Sequence, residues 1–406
     1  MPKPRAGAEN LPAVISSGPT GERRQNLAKS MRIGLDGQPL TKPRTGVGHY
    51  TLELARALAT RRPEDSFELV ARDSFPADII RETATIPNLR AVSVKANLLT
   101  RRWSSIGLPR YIRQAGLDLF HGTNYQLPLT DAKRNVLTVH DLSFFAYPET
   151  HDARFARRAR LRLPIMLRAA SRIITPTEAI KEELISRFKL DPFRITVTPE
   201  APRENFFPMN RADTTEVRQR LGIENDFILF VGTIEPRKNL HTLVRAFECV
   251  SRETDGRPQL VIAGGEGWLT GDFDRLVRGS VLRERMRLTG YLTDEELRAL
   301  YSSCKVFVYP SLYEGFGLPP LEAMACGAPV IASRIPAHEE TLKDNARLVK
   351  PTDESALANA IVELLKDERA RESLVRAGLA HVAKFSWGST AEMTWNVYEA
   401  VVANSY

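Results

Sequence analysis

The sequence predicts an α/β chain of two doubly wound, largely parallel sheets, each flanked by helices and facing the other across a cleft. Three observations carry this. The chain has 406 residues, about twice what one ordinary core requires. Short apolar runs alternate with helix-periodic stretches along most of its length, a rhythm that implies parallel strands joined by crossover helices. The rhythm breaks once, in PEAPRENFFPMNRAD at 199–213, where three prolines and no periodicity mark a linker. The resulting division is an extension at 1–30, a first domain at 31–200, a linker at 201–215, a second domain at 216–386 and a closing helix at 387–406.

Residues 1–30 are rich in Pro, Gly, Ser and charge, the composition of a disordered extension. RIGLD at 32–36 reads as the first strand. It leads into TGVGHYTLELARALA, where Gly46 and Gly48 permit a tight turn and Tyr50, Leu54 and Leu58 recur at helical spacing. A lone GxG is weak evidence for a nucleotide site, and the acid that a dinucleotide fold places about twenty residues further on is missing. Strand-like FELVAR, RAVSV, LDLFHG, NVLTVHD, RIITP and RITVTP follow, separated by helices that include Trp103–Gln114, the arginine-rich Arg154–Arg172 and Thr177–Phe188. Thr175, Pro176 and Glu178 read as the last helix's cap, first residue and capping-box acid. After the linker come FILFVG, a helix from Leu240, QLVIAGG, a helix around Asp272–Arg283, MRLTGY and a helix near Asp294. KVFVYP, a glycine-rich turn, PVIAS, RLVKP and helices from Asp353 onward complete the chain.

Ligands of such sheets bind beyond the carboxyl ends of the strands, and unusual residues collect there. KVFVYP runs into SLYEGFGLPPLEAMACG, a strand, a turn with Gly315 and Gly317, and a helix opened by Pro319 and Pro320. Free backbone N–H groups at such a turn can hold an anion. Two acids frame it, Glu314 and Glu322; bound phosphate would repel them, whereas neutral sugar hydroxyls would not. FILFVG leads to Arg237 and Lys238, cations just before a helix, where the dipole disfavours them by roughly 0.3–1 kcal/mol each; a bound anion would offset this. Gly264 and Gly265 follow QLVIA, Tyr291 follows MRLTG, and His140 and Asp141 follow NVLTV. Taken singly, these also read as a turn, a packed aromatic and a satisfied core histidine. Together, at five strand ends, they point to an enzyme cleft.

From Arg32 to Ala403 the sequence resembles the glycosyltransferases of the GT-B fold, family 4 (GT4), which are retaining and include many bacterial mannosyltransferases of polysaccharide and lipopolysaccharide assembly. Glu314 and Glu322 in EGFGLPPLE meet that family's E-x7-E pattern, and EPRKNL with Arg237 and Lys238 meets its second motif. TGVGHY matches an N-terminal loop of Gly46, Val47, Gly48 and His49, with His49 where Arg or Lys is common. FSWGSTAEMTWNVY resembles a closing helix that crosses back to the first domain. The resemblance implies that the second domain binds a nucleotide sugar. Arg237, Lys238 and the backbone of Gly315, Phe316, Gly317 and Leu318 would hold its diphosphate, Glu322 its ribose and Glu314 the transferred sugar. Tyr291, Gly264 and Gly265 would lie near the donor as well. His140 would lie near the reacting sugar, and residues 46–49 with Asp141 on the acceptor side. It implies no cofactor and no metal, a hexose donor with GDP-mannose first and UDP-hexose or dTDP-rhamnose behind it, and a glycan or lipid-linked acceptor. A sugar-nucleotide epimerase is the alternative on the same fold.

Composition narrows the rest. No apolar run approaches the roughly 20 residues of a membrane span, and Leu11–Ile15 is too short for a signal-peptide core. Cys249, Cys304 and Cys326 lack metal or redox spacing, as expected of reduced thiols in a cytoplasmic protein. The formal net charge of +8 is concentrated in Arg154–Arg172, with a smaller cluster at Arg101, Arg102, Arg110 and Arg113. This pattern fits either a solvated helix face or one resting on the anionic inner face of the plasma membrane. The interleaved aromatics of a nucleic-acid platform are missing.

Overall fold

The computed structural model describes residues 30–95, 102–130, 134–254 and 258–403; the expected disordered extension, apart from Ser30, and Arg101 lie outside them. The first sheet consists of β1 (Arg32–Asp36), β2 (Ser66–Ala71), β3 (Leu89–Ser93), β4 (Leu119–Gly122), β5 (Asn135–Thr138), β6 (Arg172–Thr175) and β7 (Ile195–Val197), in the order 3-2-1-4-5-6-7. The second consists of β8 (Phe227–Val231), β9 (Gln259–Ala263), β10 (Met286–Gly290), β11 (Val306–Tyr309), β12 (Val330–Ser333) and β13 (Arg347–Val349), in the order 10-9-8-11-12-13. All pairings among these strands are parallel. The chain therefore reverses its winding direction beside β1 and again beside β8, and the crevices at those two reversals are where such sheets hold ligands.

The connecting helices are α1 (Gly46–Arg61), α2 (Ala77–Ala84), α3 (Leu108–Ala115), α4 (Ser143–Ala146), α5 (Ala153–Ala169), α6 (Glu178–Phe188), α7 (Arg211–Arg220), α8 (Leu240–Glu253), α9 (Gly271–Gly279), α10 (Asp294–Ser303), α11 (Leu318–Ala325), α12 (Pro336–Thr341), α13 (Glu354–Lys366), α14 (Glu368–Val382) and α15 (Trp387–Ala403). With helices on both faces, β8 and β9 are buried at every residue, which explains why they read as unbroken apolar runs rather than alternating ones. Helix α15 packs on α1 in the first half. Trp387 and Tyr398 are almost fully buried there, and Trp387 Nε1 donates to the Pro202 carbonyl at 3.1 Å.

Several boundaries differ from the sequence expectations. Gly46 and Gly48 form no turn: Thr45 stands at the N-cap position of α1 without a side-chain cap bond, and Gly46 to His49 are its first residues. The expected helix Trp103–Gln114 opens with a wider π-helical turn at Trp103–Gly107 before α3. The cap of α6 is Thr177 rather than Thr175; its Oγ1 accepts from Ile180 N at 3.3 Å, and Glu178 becomes the first helical residue. The linker's last residues wind into α7, because Asn210 caps it by accepting from Asp213 N at 3.0 Å. The helix expected over Asp272–Arg283 is α9 and stops at Gly279.

The strand ends of the two sheets meet. Both carboxylate oxygens of Glu340, on α12, accept from the first backbone N–H groups of α6, Glu178 at 2.8 Å and Ala179 at 3.0 Å. Tyr313 OH donates to Glu183 at 2.6 Å, and Trp268 Nε1 donates to the Thr150 carbonyl at 2.7 Å. The glycine-rich turn thus lies against the first half rather than in open solvent.

Candidate active site

The turn after β11 is shaped by two glycines for different reasons. Gly317 has φ of 99° and precedes α11, a left-handed conformation that side chains resist. At Gly315 an added Cβ would lie 1.7 Å from the His140 carbonyl oxygen, so only glycine lets the two halves approach this closely. Of the four backbone positions from Gly317 to Pro320 that open the helix without an intrahelical partner, Pro319 and Pro320 carry no N–H, leaving Gly317 and Leu318 to supply the free donors. Phe316 is buried against Phe385.

Arg237 and Lys238 occupy a short 3-10 turn after β8, and Asn239, with φ of 56°, separates it from α8. The anion inferred from their position is present within the chain: it is Glu314. Lys238 Nζ donates to Glu314 Oε1 at 2.6 Å and to Tyr309 OH at 2.6 Å. Arg237 Nη1 lies 3.0 Å from Glu314 Oε2, and Nη2 donates to Glu235 Oε1 at 2.6 Å. Burial disfavours the Glu314 carboxylate, but Arg237 and Lys238 together overcome it and hold this group well below the usual carboxylate range. Glu322 is also paired: its Oε1 accepts from Arg203 Nε at 2.8 Å and its Oε2 from Tyr301 OH at 3.3 Å. Both acids of the turn thus have cationic partners, which removes the puzzle of acids beside an anion site.

From the first half, His140 reaches the turn through its carbonyl oxygen. Its ring nitrogens are occupied, Nδ1 by Glu200 at 3.0 Å and Nε2 by the Thr123 carbonyl at 2.8 Å. Asp141 Oδ1 accepts from Ser143 N at 2.9 Å and Ser143 Oγ at 2.7 Å. His49 is drawn toward Arg203, with Nε2 3.5 Å from Nη1. Gly264 has φ of 147°, and a Cβ there would meet the Gly232 carbonyl oxygen at 2.0 Å, so it serves strand-end packing. Gly265 faces open space, and Tyr291 is exposed on the loop after β10. The structure therefore gathers Arg237, Lys238, Glu314 and the His140 backbone into one cluster and sets Glu322 beside Arg203.

Sequence reasoning missed Arg203, Glu235, Glu200 and Asp36. Asp36 ends β1 fully buried, where desolvation pushes its carboxyl up to about 7. Near that end of the first sheet lies a cavity of about 810 Å³ reached by Lys42, Arg72, Arg102 and Arg162, with Asp73 opposing them. Val47 lines it too. Among the described residues no three His, Cys, Asp or Glu side chains converge as metal ligands would, and no helix is long and apolar enough to cross a membrane.

Two facing doubly wound sheets with a cation pair and a glycine turn at the second switch point define the GT-B class. Residues 44–201 match the family described as Glycosyltransferase Family 4, and residues 213–381 match Glycosyl transferases group 1. The chain is 32% identical over 381 residues to O-antigen chain mannosyltransferase B of Escherichia coli, across 91% of this chain and all of that one. It is 25% identical to O-antigen chain mannosyltransferase RfbU of Salmonella typhimurium over 88% of this chain and 96% of that one. Among solved structures, sucrose-phosphate synthase from Thermosynechococcus elongatus superposes with a TM-score of 0.74 at 24% identity, over 92% of this chain and all of that one. Anabaena HepE in complex with UDP-glucose gives 0.73 at 19%, over 91% of this chain and all of that one. The chain belongs to the group 1/family 4 glycosyltransferases of the GT-B fold, and it is accordingly a transferase enzyme.

Proposed function

We propose that this glycosyltransferase moves mannose from GDP-mannose to a hydroxyl of a glycan or lipid-linked glycan, with retention of configuration and without a divalent metal. The observation that carries this reading is the paired cluster of Arg237, Lys238 and Glu314 at the glycine turn, in a chain that aligns along its length with an O-antigen mannosyltransferase. In this account the donor diphosphate takes over Arg237 and Lys238 from Glu314. Two buried cations and the N–H groups at the start of α11 then balance charge on the leaving group, in a site where water is excluded. Released from its partners, Glu314 accepts hydrogen bonds from the hydroxyls of the transferred sugar. Glu322 has lone pairs to spare for the ribose, since a carboxylate offers about four acceptor sites. The acceptor hydroxyl approaches from the first half, over the His140 backbone, and the leaving phosphate takes its proton.

The same reading places the enzyme in the cytoplasm, with the outer face of α5 on an anionic membrane surface. That face carries the exposed apolar side chains Phe155, Leu161 and Ile165 among arginines, the pattern of an interfacial helix. A donor screen across GDP-, UDP- and dTDP-sugars tests the chemistry. GDP-mannose is expected to give the highest kcat/KM and an α-linked product from the α-donor. Preference for a UDP- or dTDP-sugar contradicts the donor, and an inverted product contradicts retention.

A further inference from the structure

Arg203 lies on the crossover between the two sheets, in the stretch 202–212 that falls between the two family matches. A cation in such a segment ordinarily faces solvent, yet Arg203 is 6% exposed. Its Nε donates to Glu322 Oε1 at 2.8 Å and its Nη1 to Asp294 Oδ1 at 2.5 Å. The second oxygen of Asp294 accepts from Asn205 at 3.2 Å, and the Phe206 ring lies under the guanidinium, 4.1 Å from Cζ. Asp294 is itself fixed as the first residue of α10, where Thr293 and Glu296 form a capping box. The planar fork is thus held from two edges and one face, which leaves its bond to Glu322 little freedom of direction.

His49 completes the arrangement from the first half. Burial and the neighbouring Arg203 push its imidazole down to about 3, so it faces Arg203 as a neutral acceptor. Asp294 pulls the other way, and Arg44 adds to the downward shift. A permanent cation at position 49 would instead stand against Arg203 within a buried contact.

We infer that Arg203 is the positioning residue that fixes the Glu322 carboxylate in one orientation for the ribose hydroxyls of the donor. This rests on the proposed role of Glu322 as the ribose ligand. Without Arg203, a carboxylate buried beside Tyr301 would lose its charged partner and its fixed direction. Arg203 need not touch the donor.

Calorimetric binding of GDP and UDP, each with its 2′-deoxy and 3′-deoxy forms, tests this in the native chain, Arg203→Gln, Arg203→Lys and, as a baseline, Glu322→Gln. The native chain is expected to bind one ribonucleotide at least about tenfold tighter than a deoxy form, as a hydrogen bond to a charged group requires. Arg203→Gln should bring that ratio near the Glu322→Gln value. Arg203→Lys, with a charge but no fork, should reduce it by about threefold and serves alone if the glutamine variant fails to fold. A purely structural role would weaken ribo and deoxy forms alike and leave the ratio unchanged; that result overturns the inference while Glu322 keeps its role. Equal binding of ribo and deoxy forms by the native chain, for both nucleotides, removes the Glu322 role and Arg203's with it.

Discussion

The two halves share a winding scheme but differ in how they bury polar groups. At the strand ends of the second sheet, charges are buried in pairs: Arg237 and Lys238 on Glu314, Arg203 on Glu322 and Asp294. The first half also pairs Glu68 with Arg90 and Glu200 with His140, but its innermost hydrogen-bonded network is neutral. His121 sits between Tyr398 OH and Thr138 Oγ1, both at 2.7 Å, and Tyr50 OH reaches Thr138 at 2.9 Å. Its cations stay outside, around the cavity and along α5. Under the proposed function the difference matches two tasks. A fixed diphosphate demands a rigid charged mould, which buried pairs supply at the expense of desolvation. A glycan hydroxyl would demand space and hydrogen bonds, which the wide cavity lined by polar side chains would supply.

Removing charge from the buried half should have the largest effect. Lys238→Ala is expected to lower kcat by on the order of 10²-fold or more while circular dichroism stays unchanged; full activity at saturating donor would contradict the phosphate role. In the first half the sensitivity should be to pH. Burial pushes His121 down to about 3, against about 6.5 when unfolded. Between those values the unfolded chain binds more protons, so this contribution is complete above pH 6.5 and is lost as pH falls. From pH 6.5 to 5 the stability difference between the native chain and His121→Gln should shrink by about 2 kcal/mol, read by urea unfolding; parallel curves would contradict a neutral His121. The smallest effect is at the surface. Anionic vesicles should float the native chain at low salt, and replacing Arg157 and Arg158 should weaken this by about 1 kcal/mol each. Binding indifferent to salt and to these changes would remove the membrane face.

This contrast also separates what was legible in the sequence from what was not. The two sheets were, because parallel strands covered on both faces leave unbroken apolar runs, and the proline-rich break between them is local. Arg237, Lys238, Glu314 and Glu322 were legible because glycine and proline mark the turns that carry them. Their pairing was not: Lys238 and Glu314 are 76 residues apart, and no local pattern reports such a contact. Arg203 was hidden more deeply. It is a single arginine in an aperiodic stretch, and its partners Asp294 and Glu322 lie 91 and 119 residues away. The glycines at 46 and 48 misled in the other direction. GxG suggests a turn, yet a helix begins at Gly46, which faces open space, and only Gly48 is closely packed, a Cβ there coming within 3.3 Å of the Pro39 carbonyl.

The central claim is that buried side-chain cations, not a metal ion, carry the leaving diphosphate. Turnover of GDP-mannose by metal-stripped enzyme in excess EDTA, compared with the same enzyme given Mg²⁺ or Mn²⁺, tests it most directly. Equal kcat/KM in both conditions is the predicted result. Loss of turnover in EDTA that either metal restores would contradict it.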